Sequence, residues 1–270
     1  MKIKTSRLIS VLSGAFPYLA FCAFYLIPLV FTFVYAFLKS PFQMEFHVFD
    51  NFSYLIGNRY FLLGFQNLLV LGLSMALLSF LCSILIAPVL SANPRLAGLA
   101  IIILILPVVI PSVSASAVWK NVFETRSILE SGKARLALLS LFVWKYAGLG
   151  SAVLFSGLKR IPESLTDAAK IDGAKSIRTY FSIRLPAIPG EMGAVIGLNI
   201  VFMLRLYKES YLLFGAYPSE KAYMLQNYMN HQYTNMSFQY VAASAVILIA
   251  FAVLLYAIVY FILIKRRGAQ

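Results

Sequence analysis

Asp167-Ala168-Ala169-Lys170-Ile171-Asp172-Gly173-Ala174, with nine residues separating Gly173 from Ile183-Arg184-Leu185-Pro186, decides how this chain is read. It is a polar, small-residue island between two strongly apolar stretches. Pro162 suits a helix start, where its missing N–H is not needed. Glu163 and Asp167 then fall in the first turns, favourable near the positive end of a helix. Leu165, Ala168, Ala169 and Asp172 share one helical face, and its two alanines let a partner approach closely. Gly173 predicts the end of that helix through an open or left-handed backbone. Ile177, Tyr180 and Phe181 predict the apolar edge of a second short helix, and Pro186 and Pro189 stop it. A solvated loop between membrane spans needs none of this. A short helix inserted into a groove on another protein does.

The flanking sequence sets the environment. Hydrophobic residues make up 61% of the 270 residues and charged residues only 12%, against about a half and a quarter in a soluble domain. The excess lies in long runs. Crossing a bilayer takes roughly 20 apolar residues as a helix, and runs this long exclude the alternating strands of a β-barrel. The reading is an all-α polytopic membrane protein. Six spans are expected, near residues 15–37, 61–90, 96–119, 136–158, 190–206 and 240–264. The third carries Pro107 and Pro111 and is expected to bend. The first run exceeds the usual apolar core of a signal peptide and is read as a span.

Lys and Arg orient these spans. With the N-terminus inside, the inner segments hold thirteen and the outer loops seven. The expected organisation is a cytoplasmic segment 1–14, one transmembrane domain 15–264 with an inner loop at 159–189, and a basic cytoplasmic tail 265–270. The net charge of +13 follows from this bias, and no nucleic-acid-reading motif accompanies it. Cys22 and Cys82 are read as small buried apolar residues, and His47 and His231 as surface-loop residues. No phosphate loop, zinc motif or nucleophile motif occurs in the sequence, so no catalytic residue, bound cofactor or metal is expected.

The inner loop resembles the conserved cytoplasmic loop of bacterial ABC-importer permeases, whose pattern is E-A-A, three residues, G, nine residues, I-x-L-P. Asp167 stands for the glutamate. Phe16-Pro17-Tyr18-Leu19, Asp50-Asn51-Phe52, Leu106-Pro107, Trp119, Gly157-Leu158-Lys159-Arg160-Ile161-Pro162 and Lys208-Glu209 through Tyr217-Pro218 look like the maltose and glycerol-phosphate branch. The outer segment Lys120–Arg135 looks shorter than usual for that branch. The resemblance implies a MetI-like permease subunit importing a carbohydrate, an oligosaccharide in particular. It implies a second homologous permease, a cytoplasmic ABC ATPase dimer that holds ATP and Mg2+, and an external solute-binding protein. It also implies that Asp167, Ala168, Ala169, Asp172, Gly173, Ala174, Ile183, Leu185 and Pro186 form the coupling element to the ATPase.

Polar residues inside spans mark functional sites by default. Lys145, Asn199, Arg205, Lys208 and Glu209 are the expected lining of a translocation path. Alternatives are an interhelical hydrogen bond for Asn199, snorkelling for Lys145, and mutual pairing of Arg205, Lys208 and Glu209. The resemblance to the sugar-importer branch, together with scattered aromatics and few intramembrane charges, implies a neutral oligosaccharide or related carbohydrate. A stand-alone secondary transporter usually carries intramembrane acids and inverted repeats. Here the acid expected nearest a span interior is Glu191, at a cytoplasmic edge.

Overall fold

The computed structural model describes residues 14–40, 42–123 and 133–267. The basic N-terminal segment, residues 124–132 of the outer segment and the end of the basic tail lie outside them. Four helices are long and apolar enough to cross a membrane: α1 (Gly14–Ala36), α3 (Arg59–Ala92), α6 (Ala134–Leu158) and the apolar stretch Phe238–Ile262 of α12 (Phe238–Arg267). Two bent pairs bring the number up to six if each pair is one span. They are α4 (Pro94–Val109) with α5 (Ser112–Val122), and α8 (Ser176–Arg184) with α9 (Pro189–Leu204). The break at Ile110–Pro111 bends the first pair by 90°. Pro111 supplies no donor, and Ile110 before it adopts the extended backbone that a following proline favours.

Between α1 and α3 lie an antiparallel hairpin, β1 (Leu38–Ser40) and β2 (Gln43–Phe46), and the short helix α2 (Asp50–Gly57). The inner loop holds α7 (Glu163–Ile171) ahead of α8. After α9 come α10 (Tyr207–Phe214) and α11 (Leu225–Thr234). The hairpin adds two short strands to an otherwise helical chain.

The chain divides into two compact units. One takes the chain up to Leu62 together with Tyr228–Ala250. Within it, the Asn51 side-chain amide donates to the carbonyls of Ala36 at 2.9 Å and Leu38 at 2.8 Å, holding the end of α1 and the start of β1. Tyr54 stacks on Tyr240 with ring centroids 4.1 Å apart.

The other unit, Leu63–Asn227 with Phe251 onward, carries the inner loop and the intramembrane polar residues. Small residues make its helices fit. A side chain at Gly148 would collide with the backbone carbonyl of Leu104 in α4, and one at Gly150 with the Ser83 hydroxyl in α3. Lipid supplies little hydrophobic drive between helices, so close backbone approach and interhelical hydrogen bonds take over. The Ser83 hydroxyl donates to the Ala147 carbonyl at 2.9 Å. Asn67, in α3, donates to the carbonyls of Glu220 and Tyr223 and accepts from Arg135 at 3.0 Å. That polar knot ties the segment after α10 to α3 and α6.

Three sequence expectations change here. Cys22 is exposed on α1 rather than buried, because that helix has few neighbours of its own chain. His231 lies within α11, not in a loop. The outer loop counted around Lys221 is not open chain: it leads into α11, with Met224 and Leu225 at the start of that helix fully buried, and Gly64 lacks a side chain where the Leu225 backbone crosses it.

Candidate functional site

Two sites emerge, both in the larger unit. The first is the inner loop. Helix α7 ends in a Schellman motif: the Ala174 N–H bonds to the Ala169 carbonyl at 2.9 Å and the Gly173 N–H to Lys170 at 3.0 Å. Gly173 makes this possible with φ of +75°, and no atom crowds the space where its side chain would be. Glycine at this position is therefore a backbone requirement, not a packing one.

The faces of the loop differ from the sequence reading in a useful way. Ala168, Asp167 and Asp172 are exposed, but Ala169 is buried against the chain itself. The apolar edge of α8 splits likewise. Ile177 is 76% exposed and Phe181 46%. Tyr180 is buried, and its hydroxyl donates to the Ile84 carbonyl in α3 at 2.6 Å. Leu185 and Ile188 enter the same core as Ile84, Leu154, Leu158 and Val195. Ile183 and Pro186 are half-buried, and Ala174 is too. The I-x-L-P run thus fastens the loop to the spans; it is not a free surface. Ile171, 86% exposed on α7, is an exposed apolar side chain that the sequence reading gave no role. Its exposure on a loop helix follows from the helical period once the buried face is fixed at Ala169.

Asp167 accepts from the Lys170 ammonium at 2.8 Å. That hydrogen bond, then the carboxylate's charge, raises the Lys170 pKa above its ordinary 10.5. Arg160 and Glu191 form a second ion pair at the base of α6 and α9, so Glu191 is taken up structurally. A cleft of about 560 Å³ opens beside α7, with Lys159, Glu163, Thr166, Thr179 and Arg184 on its walls.

The second site lies inside the spans. Lys145 on α6 donates to Glu209 on α10 at 2.9 Å and to Ser112 at 2.8 Å; Ser112 in turn donates to the same Glu209 oxygen at 2.9 Å. The Lys145 and Glu209 side chains are only 6% and 7% exposed. Lys145 therefore does not snorkel, and Glu209 pairs with it rather than with Arg205 or Lys208. Ser112 is the first residue after the break between α4 and α5, so one buried cluster holds the break, α6 and α10 together. Glu209 also corrects the expectation that Glu191 is the acid nearest a span interior. Asn199 makes an interhelical hydrogen bond, accepting from the Ser79 hydroxyl at 3.1 Å. Arg205 and Lys208 are exposed, and among the described residues neither is ion-paired to Glu209. Ser112 and Ser79 were missed because a serine in an apolar run carries no signal of its own. A lysine and a glutamate 64 residues apart, both in apolar surroundings, are the one hint of the pairing.

Broken and unbroken apolar helices, an inner loop fastened to them and a buried charge cluster mark a polytopic membrane protein. A bacterial ABC transporter that imports the acidic polysaccharide alginate contains a chain of the same fold: TM-score 0.79 at 19% identity, covering 98% of this chain and 97% of that one. The model of the binding-protein-dependent transport system inner membrane component family matches residues 79–268, and the chain belongs to that family. The osmoprotective compounds uptake permease GgtC of Synechocystis sp. is 25% identical over 193 residues, 61% of this chain and 67% of the relative. The multiple sugar-binding transport system permease MsmF of Streptococcus mutans is 24% identical over 229 residues, 79% of each chain. The matched stretch spans 61% of the length of relatives named for sn-glycerol-3-phosphate transport.

Proposed function

We propose that this chain is one of two homologous permease subunits of an ATP-driven importer, and that it moves a carbohydrate, an oligosaccharide in particular, across the cytoplasmic membrane by alternating access. The names of its relatives, which include multiple-sugar and osmoprotectant uptake and an alginate importer, support the solute class. An external solute-binding protein delivers the solute. A cytoplasmic ABC ATPase dimer holds ATP and Mg2+ and performs the hydrolysis, so this chain is not itself an enzyme. Both termini face the cytoplasm.

The observation that carries this reading is the build of the inner loop. Its outer side offers Asp167, Ala168, Asp172, Ile171 and Ile177 to a partner, with Gly173 turning the chain between the two helices. Its inner side is bolted to α3, α6 and α9 through Tyr180, Leu185 and Ile188, and Ala169 is buried as well. A lever must be rigid on one side and free to dock on the other, so that closure of the ATPase dimer rocks the spans as a body. Lys145 and Glu209 clamp the broken pair α4–α5 to α6 and α10, and Asn199 joins α9 to α3. These are the places where rigid pieces of the path meet.

The experiment measures membrane abundance, ATPase copurification and labelled-sugar uptake together for Gly173→Val and Asp167→Lys. Both variants insert at normal abundance and lose ATPase association or ATP-driven uptake. Full transport by both removes the coupling role. Orientation is checked with an impermeant thiol reagent in intact cells: Ser219→Cys is labelled and Ser176→Cys is protected, and the reverse pattern inverts the topology.

A further inference from the structure

Val201, Arg205, Lys208 and Tyr211 are the exposed positions along the junction of α9 and α10, at i, i+4, i+7 and i+10. Met203, Leu206, Ser210 and Leu213 are buried on the other side. The exposed side of this junction, where α9 ends at Leu204 and α10 begins at Tyr207, therefore presents two cations and a tyrosine ring. The described residues include no ion-pair partner for either cation. The buried acid beside them, Glu209, is already held by Lys145 and Ser112.

The depth of this face follows from what it touches. Lys145 lies eleven residues into α6, roughly 16 Å from its outer end at 1.5 Å per residue. Glu209 bonds to Lys145, and Phe202 stacks on Tyr146 with centroids 4.1 Å apart. Arg205 and Lys208 lie between those two attachment points. A charge facing hydrocarbon there costs several kcal/mol, so such residues turn to a water-filled cavity or an opposite charge. Two adjacent cations with no acid of their own favour an anion. Arg205 can meet a carboxylate or phosphate through its planar fork, and Lys208 adds a point charge. Tyr211 is 45% exposed and packs 5.8 Å from Tyr207, an amphipathic surface on which a sugar ring can stack.

From this face we infer that the carbohydrate this chain carries is acidic, its negative group recognised by Arg205 and Lys208 as it passes the α9–α10 junction. The inference rests on the importer reading above and narrows its solute. It replaces the neutral sugar expected from the sequence, where both cations were counted but their shared exposed face was not visible.

The test uses cells that express the whole transporter with its partner subunits. Uptake of labelled trigalacturonate, a hexose phosphate and a neutral trisaccharide is compared for the wild type, Arg205→Gln, Lys208→Gln and the double variant. The wild type prefers an acidic sugar. The uronate and phosphate arms identify which acidic group it takes. Each single variant lowers that uptake by about tenfold, the loss of one hydrogen bond to a charged group, and complex abundance is unchanged. Import of the neutral trisaccharide alone, with no effect of the variants, overturns the charge preference and leaves carbohydrate import standing. Import of none of the three by an assembled, ATP-hydrolysing complex overturns both. Loss of the second permease subunit from complexes of the double variant makes the two cations interface residues, and that also overturns the inference.

Discussion

The inner loop and the intramembrane cluster are both small polar constructions in an apolar chain, but they are held in opposite ways. The loop is made locally. Its ion pair joins residues three apart, its helix ends in a six-residue motif, and its glycine supplies the turn. The cluster is made at a distance. Lys145, Ser112 and Glu209 come from separate helices, 33, 64 and 97 residues apart in sequence. Losing a local device damages one element, whereas losing a distant one releases three. The loop's charges are exposed and individually worth little; the cluster's charges are buried and each is costly without the other.

The comparison is tested most severely at Glu209. Replacing it with Gln leaves the Lys145 charge buried without its counter-ion, at a cost of about 3–5 kcal/mol. Thermal unfolding of the detergent-solubilised protein should drop markedly, and membrane abundance with it. The paired change Lys145→Met with Glu209→Leu should recover most of that loss. If Glu209→Gln is as stable as the wild type, the cluster is not a buried ion pair.

Gly148→Val comes next. Its side chain meets the Leu104 carbonyl, a backbone atom that cannot swing away. Overpacking of this kind costs about 1–3 kcal/mol. A lowered melting temperature is the expected readout, and cysteine cross-linking between α4 and α6 should weaken in parallel.

Tyr180→Phe removes one buried hydrogen bond to the Ile84 carbonyl and keeps the ring in its core, so the stability loss should be about 1 kcal/mol. Its consequence is sharper in function. With the fastening loosened, ATPase association persists but uptake per ATP hydrolysed falls. Equal coupling in the variant would show that the loop needs no such fastening.

The smallest effect is expected at Lys170→Ala. The Asp167–Lys170 pair is largely exposed to solvent, and its removal should leave the melting temperature unchanged. The pair also sets a pH expectation. A raised lysine pKa contributes its stabilisation below 10.5 and loses it only above that value. Stability between pH 6 and 9 should therefore be insensitive to this pair.

The same contrast governs what could be read from sequence. Spacing alone announces a helix, a glycine stop and a second helix in the inner loop, because the signals are caps and turns a few residues apart. Which side of that loop faces inward is not written there: Ala168 and Ala169 look alike, and only the packing of Tyr180 and Leu185 separates them. The spans were legible as apolar runs, and Pro107 and Pro111 marked the bend. The pairing of Lys145 with Glu209 was not legible, because charge and hydrophobicity carry no information about which distant partner arrives. Ser79, Ser83 and Ser112 were invisible for the same reason. The hairpin β1–β2 is too short for its alternation to stand out.

Chain order gives the Lys145–Glu209 bond a further meaning. During synthesis α6 is made and threaded before α10 exists, so its lysine first meets the bilayer without a counter-charge. At a helix centre such a residue opposes insertion by about 2.5–3.5 kcal/mol, which the leucines, valines and phenylalanines of α6 must outweigh. The helix enters, but it stays unsettled until the glutamate is delivered 64 residues later. A chain truncated between the two would hold an orphaned cation in the membrane, the kind of exposed defect by which quality-control proteases distinguish an unfinished subunit from a finished one.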